Sequence, residues 1–186
     1  MTVTRLPVVG VLGSGSIAHQ ERAQTLGCWL AGQGVHLLTG GGGGVMSAVS
    51  RAFSEVPTRR GLVIGIIPGA TQWETSEPRQ GYPNPWVEMA VFTHLQMSGR
   101  DGMDPMSRNH INVLSANVLL ALPGGAGTAS EVSLALRYGR PLIAYLRSRD
   151  EIPDLPAVVP VENDLKRVKE FVREKIASPV LSNPVE

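Results

Sequence analysis

The sequence predicts a three-layer α/β sandwich built around a mainly parallel sheet. Short runs rich in Val, Ile and Leu alternate with segments that have the apolar spacing of helices, and there is little sign of hairpins. Glycine-rich turns follow three of the predicted strands, at residues 13–16, 40–44 and 124–127. Strands that are joined by helices run parallel, so these turns are expected at one edge of the sheet. This is the pattern of a Rossmann-like fold.

Composition favours one ordinary globular domain over residues 1–186, with an ordered core at about residues 6–178. The chain is 42% hydrophobic and 18% charged, and its net charge of +1 argues against a nucleic-acid partner. It has no basic segment before an apolar stretch at the N-terminus and no apolar run of membrane-spanning length. We therefore expect a cytoplasmic protein without a membrane partner. The single cysteine, Cys28, is expected to be a buried apolar residue.

The first half of the chain repeats a strand, a glycine turn and a helix. An uncharged apolar run at residues 6–12 predicts a buried strand, and the turn at 13–16 separates it from a helix at residues 18–33. The five glycines at residues 40–44 repeat the pattern after a second strand. The same reasoning predicts strands at residues 35–39 and 62–67 and a helix at residues 45–53.

Residues 70–85 form a long predicted loop rich in Pro, Thr, Gln and Glu. Ordered loops of this length are usually lids or binding segments, and the alternative is a disordered insertion. The aromatic side chains of Trp73, Tyr82 and Trp86 either stack on a ligand or pin the loop to the surface, and pinning is the favoured interpretation.

The second half continues the alternation of strands and helices. Nearby prolines make the strand at residues 87–92 edge-like. A helix is predicted at residues 101–116, with Asp104 as N-cap and Pro105 at the first helical position. Further strands are predicted at residues 118–122 and 141–146, and further helices at 128–138 and 162–177.

The stretch Pro-Gly-Gly-Ala-Gly-Thr-Ala-Ser-Glu at residues 123–131 carries the clearest chemistry. Its glycines let the backbone approach an anion, and the free N–H groups and dipole of the following helix favour negative charge. Glu131 would repel a phosphate, so we expect it to face the sugar of a nucleotide. Taken singly, each residue has an explanation that needs no ligand. Glu131 would stabilise its own helix through the helix dipole, and Arg108 would be a solvated helix residue. Together they favour a shared ligand.

Several common sites are disfavoured by the same residues. The turn at 13–16 lacks the third glycine of a dinucleotide fingerprint, and no lysine follows Gly44 as a P-loop requires. The four histidines have no metal-ligand spacing with each other or with Cys28, so no metal site is expected. The segment Gly13-Ser14-Gly15 has the wrong frame for the nucleophile of a serine hydrolase.

The motifs Gly-Gly-Gly-Gly-Gly-Val-Met at residues 40–46 and Pro-Gly-Gly-Ala-Gly-Thr-Ala-Ser-Glu at 123–131 resemble those of the Lonely Guy (LOG) superfamily. The likeness covers roughly residues 6–178. The segment at residues 108–119 is most similar to the branch of molybdenum-cofactor carrier proteins. The resemblance implies catalytic roles for Arg108 and Glu131. It also implies ligand or phosphate binding by Gly13, Ser14, Gly41, Gly42, Gly43, Val45, Met46, Arg108, Asn109, Asn112, Gly124, Gly125, Ala126, Gly127 and Thr128.

Two functions follow from this resemblance. The first is a carrier-like protein that binds a phosphorylated pterin, such as molybdopterin, or a nucleotide. The second is a phosphoribohydrolase that releases a base and ribose 5-phosphate from nucleoside 5′-monophosphates. In such an enzyme Glu131 would bind the ribose and stabilise an oxocarbenium-like transition state, and Arg108 would orient the nucleotide. The enzymes have Arg-Lys where this chain has Arg108-Asn109, so the carrier is the leading prediction. A nucleotide sensor is a weaker alternative.

The resemblance also bears on cofactors and assembly. No cofactor is required, and a homodimer or homotetramer is expected.

Overall fold

A computed structural model describes residues 5–70 and 79–177 of the chain. These residues form a seven-stranded sheet in the order β4-β3-β2-β1-β5-β6-β7, and every neighbouring pair of strands is parallel. The strands are β1 (Val8–Leu12), β2 (His36–Thr39), β3 (Val63–Ile67), β4 (Met89–Phe92), β5 (Val118–Ala121), β6 (Leu142–Tyr145) and β7 (Val161–Glu162). The predicted α/β fold with a parallel sheet is confirmed.

Five α-helices cover the two faces of the sheet. They are α1 (Gln20–Ala31), α2 (Val45–Ser54), α3 (Asn109–Ser115), α4 (Ala126–Arg137) and α5 (Leu165–Ala177), and short 3-10 helices lie at Gly99–Asp101 and Arg149–Glu151. One core cluster joins α1, α2 and α5 to the sheet, and the other joins α3 and α4 to the opposite face. Successive residues of β5 alternate between the clusters, since Val118 and Leu120 belong to the first and Leu119 to the second. A parallel strand buried on both faces explains the uncharged apolar runs of the sequence.

The direction in which successive strands are added to the sheet reverses between β1 and β5. Chain order runs outward from β1 through β2 and β3 to the edge strand β4, and from β5 through β6 to β7 at the opposite edge. The loops that leave β1 and β5 therefore diverge to opposite sides of the sheet. They leave a crevice beyond the carboxyl ends of the two strands, which is where open α/β sheets bind ligands.

Helix α3 is shorter than the sequence predicts. It begins at Asn109, so the predicted start at Asp104 and Pro105 is wrong. The Asp104 carboxylate accepts a hydrogen bond from the Met106 N–H at 2.7 Å, as an N-cap would, but this bond closes a local turn. The same side-chain chemistry supports a turn and a helix start, which is why the sequence pattern could not separate them.

The C-terminal part of the fold differs from the prediction at one strand and one helix. Strand β7 was not predicted, because two residues are too short to show strand periodicity. Helix α5 consequently begins at Leu165 and not at residue 162.

The prediction that Cys28 is buried is wrong. Its side chain is exposed on α1, and its thiol lies 3.6 Å from the carbonyl oxygen of Ala52 on α2.

The predicted 70–85 loop is described only in part. Residues 71–78, which include Trp73, lie outside the described residues. Trp86 packs beneath the guanidinium of Arg51, whose central carbon lies 5.4 Å from the ring centroid, so Trp86 pins the end of the loop to α2. Within the described ranges, no helix is both long and apolar enough to cross a membrane.

Candidate functional site

A cavity of about 410 Å³ lies at the crevice beyond β1 and β5. Its volume is in the range of pockets that bind small molecules. The walls come from the loop after β1, the start of α2, the segment before α3, and the first turns of α4. The lining residues are Gly13, Ser14, Gly15, Ser16, Met46, Tyr82, Ser98, Gly99, Arg108, Asn109, Gly125, Gly127, Thr128 and Glu131.

The N-terminus of α4 opens into this cavity. Gly125 is the N-cap and has no side chain to cap the helix, and the first backbone hydrogen bond of the helix joins the Ala129 N–H to the Gly125 carbonyl at 3.0 Å. The N–H groups of the first turn, at Ala126, Gly127 and Thr128, precede that bond and have no intrahelical acceptor. They form, with the helix dipole, a site suited to an anion such as phosphate.

The loop after β1 is tied to the turn that leads into α4. The Ser14 N–H donates to the Pro123 carbonyl at 3.0 Å, and the Ser14 side chain accepts from the Ile17 N–H at 3.0 Å. A Cβ built on Gly124 would collide with the hydroxyl of Thr128 and approach the Ser14 nitrogen to 3.0 Å. Glycine at this position is therefore required by the close packing of the two loops. The result is a rigid floor beneath the N-terminus of α4.

Arg108 and Glu131 form the charged wall of the cavity. Their side chains are 6% and 11% exposed, and the Arg108 Nη1 atom lies 3.6 Å from the Glu131 Oε1 atom. The same carboxylate oxygen accepts a hydrogen bond from the Asn112 amide at 2.8 Å. Asn112 lies behind Glu131 and not on the cavity surface, so it positions the carboxylate. The Nε and Nη1 atoms of Arg108 are buried and have no hydrogen-bond acceptor among the described residues.

Burial raises the pKa of Glu131 above its ordinary value. The nearby charge of Arg108 and the hydrogen bond from Asn112 act in the opposite direction and offset part of that rise. The raised pKa follows from the position of the carboxyl group in the buried wall of the cavity, between Arg108 and Asn112.

The five-glycine turn makes room for the site's larger side chains. A Cβ on Gly40 would collide with the guanidinium of Arg108, and a Cβ on Gly42 would lie 2.8 Å from two ring atoms of Tyr82 and 2.9 Å from the Met46 methyl carbon. The glycines thus let Arg108 and Tyr82 lie directly on the backbone of the turn. Asn84 fixes the Tyr82 segment there, since its amide donates to the Gly42 carbonyl at 2.9 Å.

The structure brings together most of the residues predicted for the site. Arg108, Glu131 and Asn109 line one cavity with the predicted residues Gly13, Ser14, Met46, Gly125, Gly127 and Thr128. Asn112 and Gly124 support this wall from behind. The remaining predicted ligand-binding residues lie outside the lining, and these are Gly41, Gly42, Gly43, Val45 and Ala126.

Three lining residues come from outside the glycine motifs: sequence reasoning missed Ser98 and Gly99, and it gave stacking of Tyr82 on a ligand only as the less favoured alternative. Tyr82, Ser98 and Gly99 belong to the irregular segment between β3 and α3. The hydroxyl oxygen of Ser130 lies 3.1 Å from the Gly99 carbonyl oxygen and 2.9 Å from that of Ala126, so this segment contacts α4 at Ser130. The signal for Tyr82 in the sequence was its aromatic character, and Ser98 and Gly99 carry no comparable signal. Among residues 5–70 and 79–177, no group of three or more His, Cys, Asp or Glu side chains is placed to hold a metal ion.

Comparison with known proteins identifies the family. The profile of the SLOG cluster4 family matches residues 6–170. This chain belongs to the SLOG cluster4 family. The family assignment confirms the predicted relation to the LOG superfamily. An uncharacterized protein of Archaeoglobus fulgidus is a relative of this chain. The two sequences are 28% identical over 138 residues, and the alignment covers 73% of this chain and 78% of the relative.

Two solved structures relate the SLOG cluster4 chain to the predicted carrier branch. One is the molybdenum cofactor binding protein of Rippkaea orientalis, with a TM-score of 0.68, 29% identity, and coverage of 94% of this chain and 99% of the other. The second is the Moco carrier protein of Chlamydomonas reinhardtii, with a TM-score of 0.68, 29% identity, and coverage of 93% and 99%. Similarity to molybdenum cofactor carrier proteins is therefore confirmed at the level of structure.

Proposed function

We propose that this protein binds a phosphorylated pterin of the molybdenum-cofactor type and acts as a carrier for it. The observation that carries the proposal is the meeting of the α4 N-terminus and the buried Arg108 guanidinium in one cavity. Two independent sources of positive potential favour a ligand with a phosphate group. The similarity to proteins named for binding or carrying the molybdenum cofactor favours a pterin phosphate.

The cavity residues fit such a cargo. The phosphate would lie on the N–H groups of the first turn of α4, where Gly125, Gly127 and Thr128 line the cavity. Tyr82 and Met46 offer an aromatic face and a polarisable sulfur for a flat ring. The described lining contains neither His nor Cys, so the protein would hold the cargo through its phosphate and ring and not by ligating its metal.

Binding of molybdopterin, followed by its intrinsic fluorescence, tests the proposal. We expect saturable binding by the wild type and at least about tenfold weaker binding by Arg108→Met, because a hydrogen bond to a charged group is worth about 1.5–3 kcal/mol. Arg59→Met is the matched control. It removes another partly buried arginine that pairs with a carboxylate, Glu88, away from the cavity, and should bind as the wild type does. Absence of saturable binding by the wild type would refute the carrier proposal.

A second function is favoured by the environment of Glu131. Its carboxylate is buried in the cavity wall, held by Asn112 and faced by Arg108. Such a group could bind ribose hydroxyls and stabilise positive charge that develops at the anomeric carbon, as a nucleoside monophosphate phosphoribohydrolase requires. Asn109 stands where the enzymes carry lysine, so the carrier remains the leading proposal.

Release of ribose 5-phosphate from AMP separates the two functions. A hydrolase would release it in the wild type and lose at least about a hundredfold in rate in Glu131→Gln. A carrier would bind without any release. Activity that survives Glu131→Gln would contradict the proposed role of Glu131. Self-association and cytoplasmic location stay predictions.

A further inference from the structure

A second cavity adjoins the first across the N-terminus of α4. It has a volume of about 400 Å³. Ser14, Ser16 and Gly125 line both cavities, so the anion cradle stands between two spaces of similar size. The other residues of the second cavity are Ile17, His19, Pro123, Gly124 and Glu151.

The boundary between the two cavities is open at Gly125. A Cβ built on this residue would have no atom within 4 Å. A ligand whose phosphate rests on the first turn of α4 could therefore continue over Gly125 into the second cavity. The phosphate group would then lie in the middle of the ligand, with a further group attached to it in the second cavity.

The second cavity has the chemistry for a sugar and a base. Ile17 is 60% exposed and presents an apolar surface, which a planar base could cover. The Glu151 carboxylate accepts hydrogen bonds from the Arg22 guanidinium at 3.0 Å and from the Arg147 N–H at 2.7 Å. Its backbone carbonyl accepts from the Gly124 N–H at 3.0 Å, which joins Glu151 directly to the cradle.

Glu151 is suited to accept hydrogen bonds from sugar hydroxyls. Partial burial acts to raise the pKa of Glu151, but the hydrogen bonds from Arg147, Arg22 and Ser148 and the charge of Arg22 lower it below its ordinary value overall. The carboxylate is therefore ionised at neutral pH. An ionised carboxylate is an acceptor only, so within the second cavity Glu151 favours the hydroxyl groups of a sugar over a phosphate group.

Each cavity has one carboxylate in its lining that is paired with an arginine. Glu131 of the first cavity lies 3.6 Å from Arg108, which also lines that cavity, and Glu151 of the second lies 3.0 Å from Arg22, which lies outside the second cavity's lining. Each pair places a carboxylate beside the position of a sugar or a sugar-like diol, with the phosphate site between them.

We propose that the protein's ligand is a dinucleotide: a pterin or base in the first cavity, a pyrophosphate at the N-terminus of α4, and a second nucleoside in the cavity lined by Ile17 and Glu151. This inference rests on the proposed binding of a phosphorylated heterocycle in the first cavity. It goes further in naming the class of the ligand and a second half-site.

The test compares ligands with and without the second half of the dinucleotide. In isothermal titration calorimetry, ADP is paired with diadenosine pyrophosphate, which adds a nucleoside, and molybdopterin with its guanosine dinucleotide, which adds a nucleotide. We expect the wild type to bind the longer member at least about tenfold more tightly in each pair that binds, because the second base buries additional apolar surface. Ile17→Glu should reduce this ratio to below about threefold, since it places a charge where the base would lie.

Phe92→Glu is the matched control for Ile17→Glu. Phe92 is 62% exposed on the edge strand β4, lines neither cavity, and receives the same change from an exposed apolar side chain to a carboxylate. It should keep the wild-type ratio. Equal affinity for the short and long members of a pair would overturn the dinucleotide inference alone, as would an equal ratio in Ile17→Glu and wild type. Failure of all four ligands to bind the wild type would overturn the proposed function and this inference together.

Discussion

Asn112 donates its side-chain amide to the Oε1 atom of Glu131 at 2.8 Å. Arg108 approaches the same oxygen only to 3.6 Å, which is an ion-pair distance but too long for a strong hydrogen bond. The carboxylate is therefore held by the neutral amide, and the guanidinium keeps hydrogen-bonding capacity that its pair with Glu131 leaves unused. Buried donors of this kind are expensive to leave unpaired.

Gly40→Ala should weaken binding of a phosphate-bearing ligand without removing any charge. The added Cβ would occupy the space of the Arg108 guanidinium, which must move away from the cavity wall. We expect at least about tenfold lower affinity for AMP or molybdopterin by calorimetry, because charge-assisted hydrogen bonds depend steeply on geometry.

Gly32→Ala is the control for that change. A Cβ on Gly32 would meet its nearest atom, the Trp29 carbonyl oxygen, at an ordinary distance of 3.5 Å. This variant should bind as the wild type does. Equal affinities of Gly40→Ala and Gly32→Ala would show that the position of Arg108 does not matter to the ligand.

Asn112→Leu should raise the pKa of Glu131 further. The substitution removes the amide that donates to the carboxylate, and this hydrogen bond favours the ionised form. A carbon-13 NMR titration of the side-chain carboxyl groups measures the change. The Glu151 signal is an internal control, since its partners are Arg22, Arg147 and Ser148. An unshifted Glu131 titration would mean that Asn112 does not position this carboxylate.

Glu131→Gln should change how stability depends on pH. Folding raises the pKa of Glu131 above its ordinary value of 4.5 because the site is buried. Its contribution to stability is therefore full below that value and is lost as pH rises through the folded pKa. The neutral variant lacks this loss, so its free energy of unfolding relative to that of the wild type should increase as pH rises above 4.5 in urea titrations.

Glu151→Gln provides the opposite case. The folded pKa of Glu151 is lowered, so its contribution is present above the ordinary value and is lost as pH falls through the folded pKa. The difference in free energy of unfolding between Glu151→Gln and wild type should stay constant above pH 4.5 and change only in more acidic solution. A pH-independent difference between Glu131→Gln and wild type above pH 4.5 would contradict the raised pKa of Glu131.

Tyr82→Leu should weaken binding of the heterocycle and not of the sugar phosphate. Tyr82 lines the cavity with its ring held against Gly42, and stacking of a base on an aromatic side chain is worth about 1–3 kcal/mol. We expect about tenfold or greater loss of AMP affinity and no comparable loss for ribose 5-phosphate. Tyr82→Phe keeps the ring and should keep AMP affinity. An equal loss for both ligands in Tyr82→Leu would argue against stacking.

The sequence predicted the parallel sheet and the glycine turns because each depends on local patterns. Uncharged apolar runs mark β1 and β5, and the glycines before Thr128 mark the start of α4. The five-glycine turn was harder to interpret. Glycine allows the approach of a ligand or of a side chain, and only the three-dimensional structure shows that Arg108 and Tyr82 lie against this turn.

The parts that sequence reasoning missed depend on contacts between distant segments. Tyr82 and Ser98 reach the cavity because Asn84 binds the five-glycine turn and Ser130 binds Gly99. No periodicity or motif encodes such contacts. The start of α3 was misplaced for a related reason, since Asp104 makes the hydrogen bond of an N-cap within an isolated turn.

The position of a ligand's phosphate tests the central claim most directly. A crystal structure of the protein grown with AMP or molybdopterin at saturating concentration would measure it. We predict that the phosphate lies within hydrogen-bond distance of the Gly127 and Thr128 N–H groups, with the heterocycle towards Tyr82. A phosphate bound away from the N-terminus of α4, or crystals without either ligand, would contradict the account.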